Sequence, residues 1–426
     1  MIIRRLAGHA LLSVVVLSFV VSIMLSAAIA LAYTRRTEVL LYENYVKAYR
    51  NIHSAQEYFF ALNSQAPVNL SIDLFNSGDD SVQIRSCHWG LWEAAGFKAS
   101  VVSKRLVEKS MIYGCFPMNE QKSAMWMPMI SHGIGLTGSV TIKGDCYVAE
   151  GGVRMNVNIG GYTSTVSNHL QGNIYPCKTA FLNTSTQQIQ YLSNLLHANW
   201  STVFPGGQQA FTKSFSDTIY RSFSEPTLCI MLDTTTINLA SVIIKGNCIL
   251  YSAKPLAIPA TAQLEQIQVI APTVFVESGF KGSLHIMATD SIWVMDRATL
   301  VYPSSLVLFI EKFKINSTNI TIANNAIVNG IVYSYQATPD MQRSLIRIAP
   351  QALTRGMIYT NGYVELMGKH IGNISAMGFQ YKSHDQVLTN ILPMGNIDYT
   401  ALSKHFVIPN LTGTKNVYQT ACWIEE

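Results

Sequence analysis

The sequence predicts a mainly β protein that begins with a membrane-spanning helix and ends in a parallel β-helix-like repeat domain. Three observations predict this class: an uncharged apolar N-terminal run, a helical periodicity that continues beyond it, and short apolar triplets that recur from Ile237 to Phe379. Hydrophobic residues make up 49% of the 426 residues and charged residues 13%, which excludes wholesale disorder. The net charge of +5, without a long basic run, indicates no nucleic-acid partner.

The N-terminal run, residues 6–33, contains no Asp, Glu, Lys or Arg. About 20 apolar residues cross a hydrocarbon core of about 30 Å, so this run is long enough to span a bilayer. A cleaved signal peptide is the alternative, with Ser26 to Ala30 as a small-residue cleavage site. Because a signal peptide has a shorter apolar region of about 7 to 15 residues, we expect residues 6–33 to contact the membrane as an anchor.

The charges around the span do not decide its orientation. Arg4 and Arg5 on one side are matched by Arg35 and Arg36 on the other. We choose a cytoplasmic N-terminus because a large β-rich body with seven cysteines is easier to explain outside the cytoplasm. The expected location is the inner (cytoplasmic) membrane, with a single span and a periplasmic or extracellular body.

A helical pattern continues after the span. Apolar and aromatic residues recur at spacings of three and four, and no Pro or Gly occurs between Gly8 and Pro67. The recurring residues are Val39, Tyr42, Tyr45, Tyr49, Ile52, Tyr58, Phe59 and Leu62. We therefore predict one helix from Leu6 to Leu62, roughly 85 Å long at about 1.5 Å per residue. Its aromatic stripe packs either on the protein's own body or on another molecule.

This layout of a short basic tail, an apolar helix and an amphipathic continuation resembles type IV pilin-like proteins, especially the larger minor pilins. The resemblance covers about the first 60 residues. Such precursors have a Gly or Ala cleavage point and a Glu at the fifth mature position. Here Gly8 precedes His9 and the fifth residue after Gly8 is not Glu but Ser13, with Leu12 before it, so the processing Glu is missing.

Four segments are predicted: an anchor and long helix at 1–65, a mixed α/β region at 66–227, a β-helix-like repeat domain at 228–385 and a C-terminal cap or tail at 386–426. The mixed region contains short strand patterns and two predicted helices. The stronger helix covers Thr184 to Phe204 and the weaker one covers Gln208 to Phe223, just before Pro226.

The repeat domain is predicted from strand-length apolar triplets with a period of two. They are Val242–Ile244, Val274–Val276, Leu284–Ile286, Ile292–Val294, Leu306–Leu308, Ile320–Ile322, Ile346–Ile348 and Val364–Leu366. Ile320 to Tyr333 aligns without gaps to Ile346 to Tyr359, and such self-similarity is typical of repeat architectures. A β-sandwich is the alternative, but it favours two-residue turns between paired strands, whereas Asn329-Gly330 lies inside the repeat.

Taken whole, the anchor, long helix and terminal β-helix resemble uncharacterised single-pass envelope proteins of Bacteroidota-type bacteria with pilin-like N-termini. The resemblance is one of layout and of the repeat. It implies a structural role at the surface or in the periplasm.

The cysteines show no metal-binding spacing. Outside the cytoplasm, neighbouring pairs could form disulfides, and buried free thiols are the alternative. The pairs are Cys87 with Cys115, Cys146 with Cys177 and Cys229 with Cys248, which leaves Cys422.

No motif for a reaction is found. Gly133 to Gly138 matches G-x-G-x-x-G, but a strand pattern follows it where a dinucleotide site needs a helix. Asp290 and Asp296, with Arg297 beside them, form the best candidate acid–base pair for cleaving a polysaccharide, and solvated turn carboxylates are the simpler explanation. Tyr333 and Tyr359 could stack on sugars, or could simply be a structural ladder.

These patterns lead us to expect a non-enzymatic, membrane-anchored extracytoplasmic protein with a structural or interaction role, associated with a pilin-like or secretion assembly. Its partners would be other envelope or pilus-like proteins, and no cofactor is expected. The alternative is an anchored protein that binds or cleaves polysaccharide through its β-helix.

The anchor prediction can be checked directly. Because the apolar run exceeds the length of a signal-peptide core, we expect mass spectrometry of protein purified from membranes to find residues 1–33 retained. Cleavage near Ala30 would contradict the anchor and make the body a released protein. Cleavage near Gly8 would instead indicate pilin-type processing despite the missing Glu.

Overall fold

The computed structural model shows a mainly β protein, as predicted, with 48% strand and 20% helix. The structure describes residues 3–62, 68–76, 78–101, 105–117, 119–128, 133–149, 151–158, 163–165, 168–177, 184–204, 206–212, 218–232, 239–312, 318–338, 343–382, 386–413 and 417–424.

Helix α1 (Ile3–Leu62) confirms the prediction of one continuous N-terminal helix. It contains a candidate membrane span, and none of its most apolar 18-residue window is buried within the protein. Hydroxyl side chains in this part donate to backbone carbonyls one turn earlier, for example Ser26 Oγ to Ser22 O at 2.8 Å and Thr34 Oγ1 to Ala30 O at 2.9 Å. Such bonds satisfy the hydroxyls without water, which suits a helix surrounded by lipid.

The chain divides into two compact units. The first comprises Met1–Gln56, Ser71–Gln83 and Lys98–Val107, and the second comprises Glu57–Leu70, Ile84–Phe97 and Glu108–Glu426. The predicted four-segment division stays a prediction.

Within the first unit, α1 buries one narrow stripe. Ala48, Ile52 and Ala55 are fully buried at spacings of four and three, which is the period of a helix face. Val39 and Tyr42, which belong to the predicted aromatic stripe, are exposed. The amphipathic half of α1 is therefore only partly covered by the protein itself.

The strands before the second helix vary in length from 2 to 11 residues. In chain order they are β1 (Val68–Ile72), β2 (Ser81–Trp89), β3 (Trp92–Val101), β4 (Arg105–Cys115), β5 (Met125–Met127), β6 (Ile134–Leu136), β7 (Thr141–Lys143), β8 (Cys146–Val148), β9 (Val153–Arg154), β10 (Leu170–Gln171) and β11 (Ile174–Pro176), with a 3-10 turn at Asn119–Lys122. Helices α2 (Thr186–Leu196) and α3 (Trp200–Val203) follow. Helix α2 confirms the stronger of the two helices predicted in this region.

After α3, every helix or strand that the structure describes is a strand. They are β12 (Gln208–Thr212), β13 (Ile219–Arg221), β14 (Leu228–Leu232), β15 (Ile243–Gly246), β16 (Cys248–Tyr251), β17 (Leu256–Ile258), β18 (Gln263–Ile270), β19 (Thr273–Val276), β20 (Lys281–Ala288), β21 (Ser291–Val294), β22 (Thr299–Ile310), β23 (Asn319–Ile322), β24 (Ile327–Gln336), β25 (Leu345–Ile348), β26 (Leu353–Leu366), β27 (Lys369–Lys382), β28 (Val387–Thr389), β29 (Ile391–Leu392), β30 (Asn396–Asp398) and β31 (Tyr418–Ile424). The weaker predicted helix at Gln208 to Phe223 is wrong, because β12 and β13 lie there and pair with later strands.

A five-stranded sheet has the order β1-β2-β3-β4-β31, so the last strand of the chain lies beside β4 and runs antiparallel to it. Strands β2 and β3 are joined by Gly90 and Leu91 alone, and Gly90 has a φ of +64°. A two-residue connection of this kind requires antiparallel strands, and glycine tolerates the left-handed backbone at the first turn position.

The parallel strands that the structure describes form ladders that wind as a β-helix-like solenoid, confirming the predicted fold class. One ladder runs β12-β14-β16-β18-β20-β22-β24-β26-β27. Another includes β17-β19-β21-β23-β25-β26. The predicted repeat is confirmed in register, since Ile320 pairs with Ile346 and Tyr333 with Tyr359. Successive coils are about 4.8 Å apart, as hydrogen-bonded strands are.

The coils are not stacked in the order of the chain. Beyond β27 the first ladder continues with β5, β8 and β11, which come from the N-terminal half of the sequence. Ile374 pairs with Met125 across this junction, and Ile397 of β30 pairs with Ile142 of β7. Helices α2 and α3 lie in the chain between β11 and β12, the two end strands of this ladder. Part of the predicted mixed region therefore belongs to the solenoid.

The junction between the two sets of coils is held by buried polar side chains. Asn373 Nδ2 donates to Ser123 O at 2.8 Å, and Ser375 Oγ donates to Asn373 Oδ1 at 3.0 Å. The His370 ring lies 2.9 Å from Thr354 Oγ1 and 3.1 Å from Asn373 O. Because every one of these groups is buried, the bonds specify which coil follows β27.

Apolar side chains fill the inside of the solenoid and also cover one of its outer faces. Alternate residues such as Ile292, Ile320 and Ile346 point inward and are fully buried. The outward residues of the first ladder belong to a second core with the tip of the β2–β3 hairpin, α2, and the segment before β31. This outer core includes Trp89 and Leu192.

Three stacked glycines allow close approach between coils. Gly330, Gly356 and Gly372 pair in register with φ values of +140°, +125° and +140°. A Cβ on Gly356 would lie 2.0 Å from Gly330 O, and a Cβ on Gly372 would lie 1.8 Å from Gly356 O. Both the backbone conformation and the lack of space therefore require glycine here.

We expect Gly356→Ala to lower the free energy of unfolding by at least about 3 kcal/mol, because it combines left-handed strain with a backbone clash. The measurement is denaturant unfolding of the full chain in detergent. Gly279→Ala is the matched control, because Gly279 also has a positive φ, +83°, but has open space around its Cβ position. Equal losses in the two variants would show that the close approach between coils contributes nothing.

Candidate functional sites

The two candidate acid–base carboxylates are not brought together. Asp290 and Asp296 lie at opposite ends of β21, whose four residues at about 3.3 Å each keep them more than about 13 Å apart. Acid–base pairs of glycoside hydrolases are about 5 to 9.5 Å apart. Asp296 accepts from Arg297 Nε at 2.8 Å and from Asn325 Nδ2 at 3.1 Å. These residues form a polar turn at the edge of the solenoid.

The two candidate sugar-facing tyrosines form a buried ladder. The rings of Tyr333 and Tyr359 are stacked with centroids 5.1 Å apart, and the residues are only 0% and 2% exposed. Tyr333 OH lies 2.7 Å from Thr184 Oγ1, just before α2, in the outer core. With both rings covered, neither offers a face to a sugar in this structure.

All seven cysteines are free thiols, and the strand arrangement separates the pairs considered from sequence. Strand β3 lies between Cys87 in β2 and Cys115 in β4, a spacing of about 9 to 10 Å. Cys146 pairs with Ile174, and Cys177 is three residues further along. Disulfides need Cα atoms within about 7 Å, so neither pair can form without moving the backbone.

Cys229 and Cys248 lie on neighbouring strands but face opposite sides. Leu228 is the register partner of Cys248, and Ile249 is the partner of Cys229. Since side chains alternate along a strand, Cys248 joins the inner core and Cys229 the outer core. Burial raises the pKa of both thiols to about 12, which keeps them protonated and unreactive at neutral pH.

The glycine-rich hexapeptide is a structural turn. Strand β6 runs between Gly133 and Gly138, and both glycines have positive φ values. A Cβ at Gly133 would meet Gly151 O at 2.2 Å, and one at Gly138 would meet Pro393 O at 2.1 Å. The two glycines thus allow the ends of β6 to approach neighbouring backbone closely, which agrees with the structural rather than the dinucleotide-binding interpretation of the motif.

Sequence reasoning missed a buried polar chain beside the C-terminal strand. His285 Nδ1 lies 3.1 Å from Ser305 Oγ, and His285 Nε2 lies 3.0 Å from Gln266 Oε1. Gln266 Nε2 in turn donates to Cys422 Sγ at 3.6 Å. Since Gln266 Oε1 only accepts, His285 carries its proton on Nε2 and accepts from Ser305.

Gln266 occupies a β-bulge that one feature of the sequence could have revealed. It has a φ of +55°, the register shifts between Glu265 and Ile267, and its carbonyl accepts from Trp89 Nε1 at 3.1 Å. Inward residues follow at 264, 267 and 269, so the two-residue period is broken once, which indicates an extra residue.

The polar chain borders an open cleft of about 380 Å³, lined among others by Ser283, Tyr302 and Trp423. Two ionisable groups of this polar chain, Cys422 and His285, are uncharged at neutral pH. Burial raises the pKa of Cys422 to about 12 and lowers the pKa of His285 to about 3. A protonated thiol and a histidine that stays neutral give no activated nucleophile, so the chain acts as a packed connection between β31 and the solenoid.

A second concave surface lies in the first unit, where a groove of about 570 Å³ is lined by α1 and the loop after β1. Asp80 is buried there and accepts from Lys47 Nζ at 2.7 Å. The loop is shaped by Asp73, whose carboxylate accepts from the backbone nitrogens of Phe75 at 3.2 Å and Gly78 at 2.9 Å. This local turn leaves the Phe75 ring exposed beside Tyr42.

The groove is amphipathic and has balanced charge. Its apolar lining comes from Tyr42, Val46 and Phe75, and its charged residues are Glu43, Lys47, Arg50 and Asp80. Exposed aromatic rings such as those of Tyr42 and Phe75 are enriched at protein-contact surfaces. Searches against known protein families, curated proteins and solved structures find no match for this chain.

The two shifted histidines, His285 and His370, predict acid sensitivity. Burial lowers their pKa values to about 3 and about 4, below the unfolded value of about 6.5. Below pH 6.5 these two histidines are protonated in the unfolded chain but stay neutral in the folded chain. The free energy of unfolding therefore falls as the pH is lowered, by up to about 1.4 kcal/mol per pH unit for each histidine. Above pH 6.5 these groups make no difference.

The measurement is denaturant unfolding of the full chain in detergent from pH 6.5 to 4.5. We expect His285→Asn to have a shallower pH slope than the wild type, by one proton, whatever its absolute stability. His405→Asn, which changes an exposed histidine, is the control and should leave the slope unchanged. An unaltered slope in His285→Asn would contradict the buried neutral histidine.

Proposed function

We propose that this protein is a non-enzymatic, membrane-anchored interaction protein whose body lies outside the cytoplasm. The observation that carries the proposal is α1 itself, an unbroken helix from Ile3 to Leu62. Its apolar part is exposed throughout, and its continuation borders the groove at Tyr42. A helix of this kind serves both as an anchor and as a contact surface next to the membrane.

Lipid accounts for the first part of the exposed surface. An apolar stretch from Leu11 to Leu31 is about 30 Å long at about 1.5 Å per residue, which equals the hydrocarbon thickness of a bilayer. Tyr33, Arg35 and Arg36 then fall at the level of the headgroups, where aromatic and basic side chains are favoured. The orientation with a cytoplasmic N-terminus remains part of the proposal.

Lipid does not account for the exposed turn from Val39 to Tyr42. Val39, Leu40 and Tyr42 are 50 to 69% exposed, yet they lie beyond the headgroup level in this placement. Contiguous exposed apolar surface of this kind marks an interaction site. A partner anchored in the same membrane would present its own helix at the same height, which supports a role in a pilin-like or secretion assembly of the envelope.

The chemistry of the body supports a non-enzymatic role. The histidines and thiols with large pKa shifts are buried and held neutral, which suits packing and not proton transfer at pH 7. Parallel coils with continuous hydrogen-bond ladders give a stiff body that can hold a surface away from the membrane.

The contact surface can be tested with Tyr42→Asp. We expect this charge to abolish a complex seen on native gels of mild-detergent membrane extracts, because it would have to be buried in the interface. Tyr42 is 69% exposed, so folding should be unaffected. Tyr220→Asp, at an exposed tyrosine of the solenoid, is the matched control and should leave the complex intact. Wild-type protein that runs as a monomer in the extract would refute the proposal.

A further inference from the structure

One outer face of the solenoid lies outside the outer core and carries an ordered set of side chains. It is formed by β19, β21, β23 and β25, which pair in register without a shift. Residues that alternate with the outward ones, such as Val274, Ile292 and Ile320, are fully buried in the inner core. The outward residues therefore form straight rows along the solenoid axis, one residue per coil.

The first row contains two neighbouring aromatic side chains. Phe275 pairs with Trp293, and the row continues with Thr321 and Arg347. Phe275 is 36% exposed and Trp293 is partly exposed. From Phe275 to Arg347 the row is about 14 Å long, three steps of about 4.8 Å. Each step is close to the length of one pyranose ring.

The second row carries hydroxyl and amide groups beside those rings. Thr273 pairs with Ser291, and Ser291 pairs with Asn319. Ser291 Oγ accepts from Trp293 Nε1 at 3.2 Å and lies 3.3 Å from Thr273 Oγ1, while Asn319 Oδ1 accepts from Thr321 at 3.4 Å. These bonds fix the groups in place and leave donors such as the Asn319 amide hydrogens for a ligand.

The main cation on this face is neutralised by an ion pair. Arg347 Nε donates to Glu365 Oε2, and Lys382 N donates to the other oxygen of that carboxylate at 3.2 Å. Glu277, at the end of β19, is exposed and would repel a polyanion. A face with a paired cation and an exposed carboxylate matches a neutral ligand better than a nucleic acid or an acidic polymer.

We propose that this face binds a neutral, β-1,4-linked polysaccharide that lies along the solenoid axis. Aromatic rings pack on the apolar faces of the sugars, and the hydroxyl and amide row exchanges hydrogen bonds with their hydroxyl groups. The biological meaning rests on the extracytoplasmic body proposed above, where such polymers occur. Binding by purified protein does not depend on orientation, so it is tested separately.

The test is isothermal titration of the full chain in detergent with cellohexaose and with chitohexaose, and with polygalacturonate as an acidic comparison. We expect binding of at least one neutral hexamer and weaker or no binding of polygalacturonate. Trp293→Ala should reduce the affinity at least tenfold, and Phe275→Ala should reduce it in the same direction. Both side chains are partly exposed, so the fold should persist, which circular dichroism checks.

Tyr220→Ala, at an exposed tyrosine of β13 in another ladder, is the control and should bind like the wild type. Three results would overturn the proposal: no binding of either neutral hexamer at millimolar concentration, a preference for polygalacturonate, or equal affinity in the wild type, Trp293→Ala and Phe275→Ala.

Discussion

Hydrogen bonding between successive parallel coils is the constraint on which the rest of the structure depends. Each coil uses its backbone groups on the coil before and after it, so each coil is stable only where neighbours of matching register exist. The register also aligns side chains in rows, which is why Ile320 and Ile346 stack inside while Phe275 and Trp293 stand together outside. The interior and the surface rows follow from the same ladders.

The same constraint explains why the outer faces differ. Where the outward row is apolar, as at Ile331 and Tyr333, it must be covered, and the β2–β3 hairpin with α2 supplies that cover. Where the row contains Thr321 and Arg347, water can cover it. The polar chain through Gln266 and His285 lies near the edge of the covered face and links it to the last strand.

The sequence allowed the fold class to be predicted because its signals are local. An uncharged apolar run of this length and triplets of period two need no knowledge of distant residues, and the alignment of Ile320 to Ile346 revealed the register. Sequence reasoning failed where the outcome depended on distant contacts. The helical spacing after Gln208 was overridden by parallel pairing with β14, and no local signal shows that Met125 follows Ile374 in the stack. The proximity of Asp290 and Asp296 in sequence likewise hid their separation by an extended strand.

The order of the coils has a consequence for how the chain folds during synthesis. A ribosome delivers β5 to β11 well before β27 and β30, on which β5 and β7 stack. Until the chain has emerged nearly to its end, these early strands can pair with one another, but the edge of β5 that stacks on β27 stays unpaired, so the solenoid cannot be completed vectorially from the N-terminus. The second unit can therefore close only after synthesis is almost complete, and during that interval the edge of β5 stays unpaired.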